Sequence, residues 1–258
     1  MSIGGNLNAR YAMLQEWKKT QFYKAMCLQQ QQKCDLLLER GRHYLKDLNN
    51  ISSVAKTKAV RFEYAIKGSV HRAVYCPSPV LDLLVGNVRR GRILDRVTAA
   101  SKITHRFGFD KNNQLQFVEV ISDIDRQIAY TEYITREKNK LFGITIDNAG
   151  HLSALSEEQF VDGRIQKYIY AEMLPATEDI LCFDLNTEEY QYDEHGLASC
   201  EWTGFDPLSS DMRRKLLCKF ERRDGLLYSY TTQDLIWMQI DPENTPTHMY
   251  VARISRKA

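Results

Sequence analysis

Hydrophobic and polar positions change their period once along the chain. From about residue 7 to residue 48 the apolar residues recur at helical spacing. Leu7, Tyr11 and Leu14 follow a +4, +3 pattern, Phe22 and Met26 are four apart, and Leu37, Gly41, Tyr44, Leu45 and Leu48 fall on one face. This stretch holds no proline, a single glycine, and many Gln, Glu, Lys, Leu and Met residues, all good helix formers. It predicts one long helix or a two-helix hairpin. Asn49-Asn50 and then Ser52-Ser53 mark its expected stop.

Beyond Ser53 the period falls to two. In Val60-Arg61-Phe62-Glu63-Tyr64-Ala65-Ile66 the even-numbered residues are apolar while Arg61 and Glu63 face the other way. With Lys67-Gly68 as a turn and 69–75 as a return strand, this predicts a β-hairpin closed off by Pro77-Ser78-Pro79. Residues 80–85 are apolar throughout and read as a buried strand or a helical turn. Further strands are expected at 92–98, 103–109, 115–121, 127–135, 141–146, 152–160, 164–173, 180–183, 188–192, 197–204, 216–220, 226–232, 235–240 and 248–254. Short strands with no helical stretch between them imply antiparallel meanders rather than βαβ units. The expected fold is therefore α+β or mainly β. A helical segment, residues 1–53, precedes an antiparallel β domain, residues 54–258, built as a barrel, a sandwich or a long twisted sheet.

Composition narrows this picture in two places. The 258 residues carry a formal net charge of +2, with both signs interleaved, so the concentrated basic surface of a nucleic-acid binder is not evident. The six cysteines include no C-x-x-C pair, and residues 1–6 show no basic stretch followed by an apolar one, so no signal peptide is expected and the cysteines are expected as buried free thiols in a cytoplasmic protein. No apolar run is long enough to span a bilayer. The helical segment is a candidate dimerisation element.

A local turn recurs: a β-forming residue, Asp, a short polar stretch, then Leu. It occurs at 109–115, 146–152 and 192–197, with a degenerate copy at 220–226. Asp can accept from its own downstream backbone and start a turn, Gly can take positive φ and finish it, and Leu returns to the core. The stretch Tyr190-Gln191-Tyr192-Asp193-Glu194-His195-Gly196 resembles the YD repeat of bacterial polymorphic-toxin proteins. There, strings of such hairpins form a shell around a toxin. The glycines here are irregularly spaced, 46 and then 29 residues apart from Gly150 to Gly196 to Gly225, and the chain is too short for a shell, so the resemblance is one of hairpin chemistry. By association it implies a small immunity protein that binds and blocks such a toxin.

Motifs that carry chemistry are missing. The six histidines form no local metal motif, and there is no nucleophile elbow, phosphate loop or dinucleotide fingerprint. No catalytic, metal or cofactor site is assigned. The tyrosine-rich strands supply candidate protein-binding residues, Tyr190, Tyr192, Trp202, Tyr228 and Tyr230, because aromatic residues concentrate at interface cores. Arg89, Arg90 and Arg92 are a candidate anion-binding group. The expected function is non-enzymatic binding of another protein. Two alternatives stand beside it. One is a hydrolase-type site of Asp, Glu and His gathered from separate strands, with Asp193, Glu194 and His195 at one hairpin tip as first candidates. The other is weak nucleic-acid binding.

Overall fold

The structure, a computed structural model, describes residues 3–81, 88–174, 180–223, 226–245 and 247–256. Within these, the side chains of 3–7, 222–228, 244 and 251–256 lie outside the description. N-terminal helices are followed by an antiparallel meander, as the change of period implies. The chain divides into two compact units, one comprising Leu36–Phe183 and the other Met1–Asp35 with Asp184–Ala258.

The helical run contains three helices: α1 (Ile3–Lys18), α2 (Gln21–Lys46) and α3 (Leu48–Lys58). The last runs straight through the expected stop. Asn50 donates to Asp47 Oδ2 at 3.0 Å and Ser52 Oγ donates back to the Asn49 carbonyl at 3.0 Å, so the polar side chains that usually break helices bond locally within this one. Leu48, Ile51 and Ala55 then give the helix an apolar face against Phe117 and Tyr133.

In the Leu36–Phe183 unit the strands are β1 (Arg61–Ile66), β2 (Arg92–Ile93), β3 (His105–Phe109), β4 (Leu115–Ile121), β5 (Ile128–Glu137), β6 (Lys140–Asp147), β7 (Leu152–Val161) and β8 (Arg164–Leu174). Their hydrogen-bonded order is β2-β1-β3-β4-β5-β6-β7-β8. The expected return strand at 69–75 is absent. Ala73–Tyr75 forms a short 3-10 turn, and Lys67, Arg72 and Ala73 all have positive φ, so the chain lifts off the sheet and passes over it. We call residues 68–78 the strap. The strand expected at 92–98 is only Arg92–Ile93, paired with Ile66 and Ala65 at the end of β1. Most of the apolar stretch at 80–85 lies outside the described residues.

The other unit contains β9 (Leu181–Asp193), β10 (Gly196–Asp206), β11 (Asp211–Arg223), β12 (Leu226–Asp234) and β13 (Thr247–Arg256), paired in that order. The two strands expected at 180–183 and 188–192 are thus one. In neither unit does the described strand order return on itself, so open meanders replace the barrel alternative. Asp110, Asp147 and Asp193 each accept a backbone N–H two residues on at 2.8 or 2.9 Å, which realises the recurring turn. Residues 235–240, expected as a strand, form helix α4 (Leu235–Ile240). Asp234 caps it by accepting from the Ile236 and Trp237 amides at 3.0 and 3.2 Å. None of the six cysteines is in a disulfide, and all are buried. Among the described residues no helix is long and apolar enough to cross a membrane.

Replacing Asp234 with Ala should lower stability by about 1 kcal/mol, the usual value of such a cap. Asp234→Asn, which keeps an acceptor, should retain most of it. Urea unfolding of the two variants checks this.

Candidate functional site

Antiparallel register decides what each sheet face presents. Residues directly opposite share a face, so rows can be followed across the Leu36–Phe183 unit. Phe117, Tyr133, Ile144, Leu155 and Ala171 form one such row. It is apolar and packs against the helices: Phe117 and Tyr133 contact α3, and Leu155 lies against Gly41 of α2. Two rows on the opposite face differ sharply. One runs Phe107, Val118, Glu132, Thr145, Ala154, Glu172. The next runs His105, Val120, Tyr130, Asp147. A third row places Ile134, Gly143, Ser156 and Tyr170 side by side.

The strap covers this polar face. Its apolar end, Ala73, Val74 and Tyr75, packs on Phe107 and Phe109, with the Tyr75 ring edge-on to both at 4.9 and 5.2 Å. The basic segment that follows holds the strap down. Ser69 and Val70 amides donate to the Arg89 carbonyl at 2.8 and 3.2 Å, and the Arg89 amide donates to Ser69 Oγ at 2.9 Å. Arg90 donates to the carbonyls of Cys76, at 3.3 Å, and Ser78. Gly91 has φ +74°, and a Cβ there would lie 2.4 Å from the Ile66 carbonyl oxygen, so only glycine allows this close crossing.

So anchored, the strap drives Arg72 into the sheet. Arg72 adopts the left-handed conformation, φ 56°, a cost that persists only where the surroundings impose it. Its Nε donates to Glu132 Oε2 at 2.9 Å and its Nη2 to Glu132 Oε1 at 2.8 Å, a two-pronged contact. Nη2 also donates to Ser156 Oγ at 3.0 Å, Nη1 donates to Glu158, and the Ser156 hydroxyl donates to Glu132 Oε1 at 3.1 Å. The guanidinium fits because residue 143 is glycine. A Cβ there would come within 1.8 Å of Glu132 Oε1 and 2.7 Å of the Arg72 nitrogen.

His71 extends the network. Its Nε2 faces Glu132 Oε2 at 2.9 Å and its Nδ1 faces the Tyr168 hydroxyl at 2.6 Å. A carboxylate held ionised by Arg72 can only accept, so the His71 Nε2–H donates to it. Burial, followed by neighbouring negative groups, pushes the Tyr168 phenol up and keeps it protonated. For Glu132, burial favours the neutral acid, but the Arg72 charge and then His71 override it, holding the carboxyl well below its ordinary range. Burial opposes the Arg72 charge in turn, and Glu132 and Glu158 more than offset this.

Beside the network lies a cavity of ≈ 590 Å³. Its polar lining includes His71, Glu132, Tyr170 and Glu172, and Val70, Val118 and Val120 supply apolar wall. Ser153 reaches it from a bulge: Thr145 pairs with Ala154 but Ile146 pairs with Leu152, leaving Ser153 the extra residue. His105 lines it too, with a pKa lowered to about 4 by burial and then by His71. Among the described residues no group of three His, Cys, Asp or Glu side chains is placed to hold a metal ion.

The residues singled out in the sequence lie elsewhere. Tyr190 and Tyr230 are buried, Tyr190 donating to Glu188 Oε2 at 2.6 Å and Tyr230 stacking on Tyr250 at 4.8 Å. Tyr192 and Trp202 are partly exposed, and the Tyr228 side chain lies outside the described residues. Arg89 and Arg92 are exposed, whereas Arg90 clamps the strap. Asp193, Glu194 and His195 share an exposed hairpin tip, and Asp193 Oδ1 accepts the His195 amide there. The residues of the network and the cavity carried a faint signal: Tyr168, Tyr170 and Glu172 alternate on one strand, as do Ser156 and Glu158.

No family model matches the chain, and no curated protein does. Among solved structures the chain is similar to a DUF3836 family protein from Bacteroides vulgatus. The identity is 16%, the match covers 37% of this chain and 98% of that one, and the TM-score is 0.25. At that score the likeness carries no argument about fold or function.

Arg72→Met should leave Glu132 and Glu158 buried without a counter-charge and lower stability by about 3–5 kcal/mol. Adding Glu132→Gln and Glu158→Gln should restore part of the loss, which urea unfolding of the single and triple variants measures. His105 sets a separate pH dependence. Its folded pKa, about 4, lies below its ordinary 6.5, so the unfolded chain binds the extra proton first as pH falls. Its stabilisation is complete above pH 6.5 and declines, by up to about 3 kcal/mol, toward pH 4. Stability profiles of wild type and His105→Asn should therefore converge on acidification through that window.

Proposed function

We propose that this chain is a small-molecule-binding protein whose ligand enters the cavity under the strap. The observation that carries this reading is the cavity itself, ≈ 590 Å³, with polar groups from five strands and the strap converging on one sheet face. Ligand sites of small molecules typically run from about 300 to 1,000 Å³, mix apolar wall with a few fixed polar groups, and are largely preformed. The buried ion network supplies the preforming, because Arg72, Glu132 and His71 are each bonded on more than one side. That engagement also favours binding over turnover. Both nitrogens of His71 and both oxygens of Glu132 already have partners.

The protein-binding reading, with toxin neutralisation as its most concrete form, draws on exposed aromatic strands. Burial of Tyr190 and Tyr230 leaves it with less support than the cavity has. A cytoplasmic setting is part of the proposal, since six buried cysteines outside any disulfide suit a reducing compartment.

Methyl-detected NMR of the full chain against a fragment library tests the reading. Hits should perturb Val70, Val118 and Val120 together, and Ala154→Leu, which adds bulk to the cavity wall, should weaken them at least tenfold. Hits that consistently perturb other surfaces, or unchanged binding in Ala154→Leu, would overturn it.

A further inference from the structure

We infer that the ligand of this cavity is an organic cation, an amine carried on an apolar body, held through Glu172. This rests on the small-molecule reading above and specifies it. The starting point is a charge imbalance. The cavity lining includes three carboxylates, Asp147, Glu132 and Glu172, and no lysine; its one arginine is Arg72. Arg72 is already bonded to Glu132 and to Glu158, and its side chain is 3% exposed, so it has no charge to offer an entering anion. His105, kept neutral by burial, adds none above pH 4. Asp147 is engaged by the Ala149 and His151 amides of its own turn.

Glu172 differs from these groups. It lies on β8 in the same row as Glu132, Thr145 and Ala154, half-buried at the cavity wall. Among the described residues it has no hydrogen-bond or ion-pair partner. A partly desolvated carboxylate without a partner is costly, and an entering ammonium group offsets that cost. Tyr170, two residues back on the same face, places an aromatic ring beside it, and Tyr130 and Phe183 add two more to the lining. Such ring faces attract a cation electrostatically. The Tyr170 hydroxyl has no hydrogen-bond partner among the described residues and stays protonated, since burial and then Glu172 push its pKa up. It is a donor available to a second polar atom of the ligand. Val70, Val118 and Val120 suit an apolar body.

Three probes of one shape separate the charge from the cavity: 3-phenylpropylamine, 3-phenylpropan-1-ol and 3-phenylpropanoate, each titrated calorimetrically into the full chain at pH 7. The amine is expected to bind at least tenfold tighter than the alcohol, and the carboxylate not to saturate. Glu172→Gln should bring the amine to the affinity of the alcohol and leave the alcohol unchanged. Because Glu172 holds no structural partner, this variant is expected to keep the wild-type unfolding midpoint. An alcohol that matches the amine, or an amine advantage that survives Glu172→Gln, would overturn the cation assignment while the cavity reading stands. Failure of all three to bind at millimolar concentration would overturn both.

Discussion

Everything distinctive about the Leu36–Phe183 unit follows from placing one guanidinium inside it. Arg72 is buried against the middle of a sheet, where an isolated charge would be far too costly to keep. It survives because Glu132 meets it with two oxygens, Glu158 meets its third nitrogen, and Ser156 closes the remaining gap. Each of these demands something of the sequence. The guanidinium needs the missing side chain of Gly143 beneath it. The backbone of Arg72 must take a left-handed turn, and the strap must be held down by Arg90 and by the crossing that Gly91 permits. Replacing such a cluster with apolar residues often stabilises a protein, so its presence is better explained by what it positions than by what it contributes to folding.

What it positions is a second, polar use of a sheet already stabilised on its other side. Phe117, Tyr133 and Leu155 satisfy the hydrophobic requirement against α2 and α3. The opposite face is thereby free to carry glutamates, tyrosines and histidines, provided something covers them. The strap covers part of the face with Ala73, Val74 and Tyr75 and the ion network with Arg72, and leaves a cavity where His105, Tyr130, Tyr170 and Glu172 stand. The same register that buries Glu132 therefore aims Glu172 into open space.

Much of the fold was legible in the sequence, because a meander is local. Alternation in Leu115–Ile121 or Lys140–Asp147 needs no distant information, and Asp-started turns announce themselves. The misread elements were those settled by non-local contacts. Residues 69–75 follow the Lys67-Gly68 turn where a return strand is expected, but β1 already pairs with β2 and β3. Leu235–Ile240 has strand-like composition, but the Asp234 cap starts a helix there. Asn49 through Ser53 look like a break, yet packing of Ile51 and Ala55 carries α3 past them. The site was less legible still. Alternation identifies two faces of a strand without saying which is covered, so nothing in the sequence marks Glu132, Ser156 and Glu158 as buried. The tyrosine pairs at 190 and 192 and at 228 and 230 drew attention, while Tyr168 and Tyr170 in the same pattern line the network. Arg72 carried no signal at all, since its role depends on a backbone conformation that sequence pattern does not reveal.

The most direct measurement is the NMR behaviour of the Arg72 side chain in isotope-labelled protein. A guanidinium fixed by Glu132, Glu158 and Ser156 should give separately resolved, downfield Nε and Nη protons that exchange slowly with water from pH 5 to pH 8, and Glu132→Gln should collapse them. An Arg72 signal that exchanges as fast as those of exposed arginines such as Arg89 and Arg92, in wild-type protein, would contradict the buried network and with it the cavity it frames.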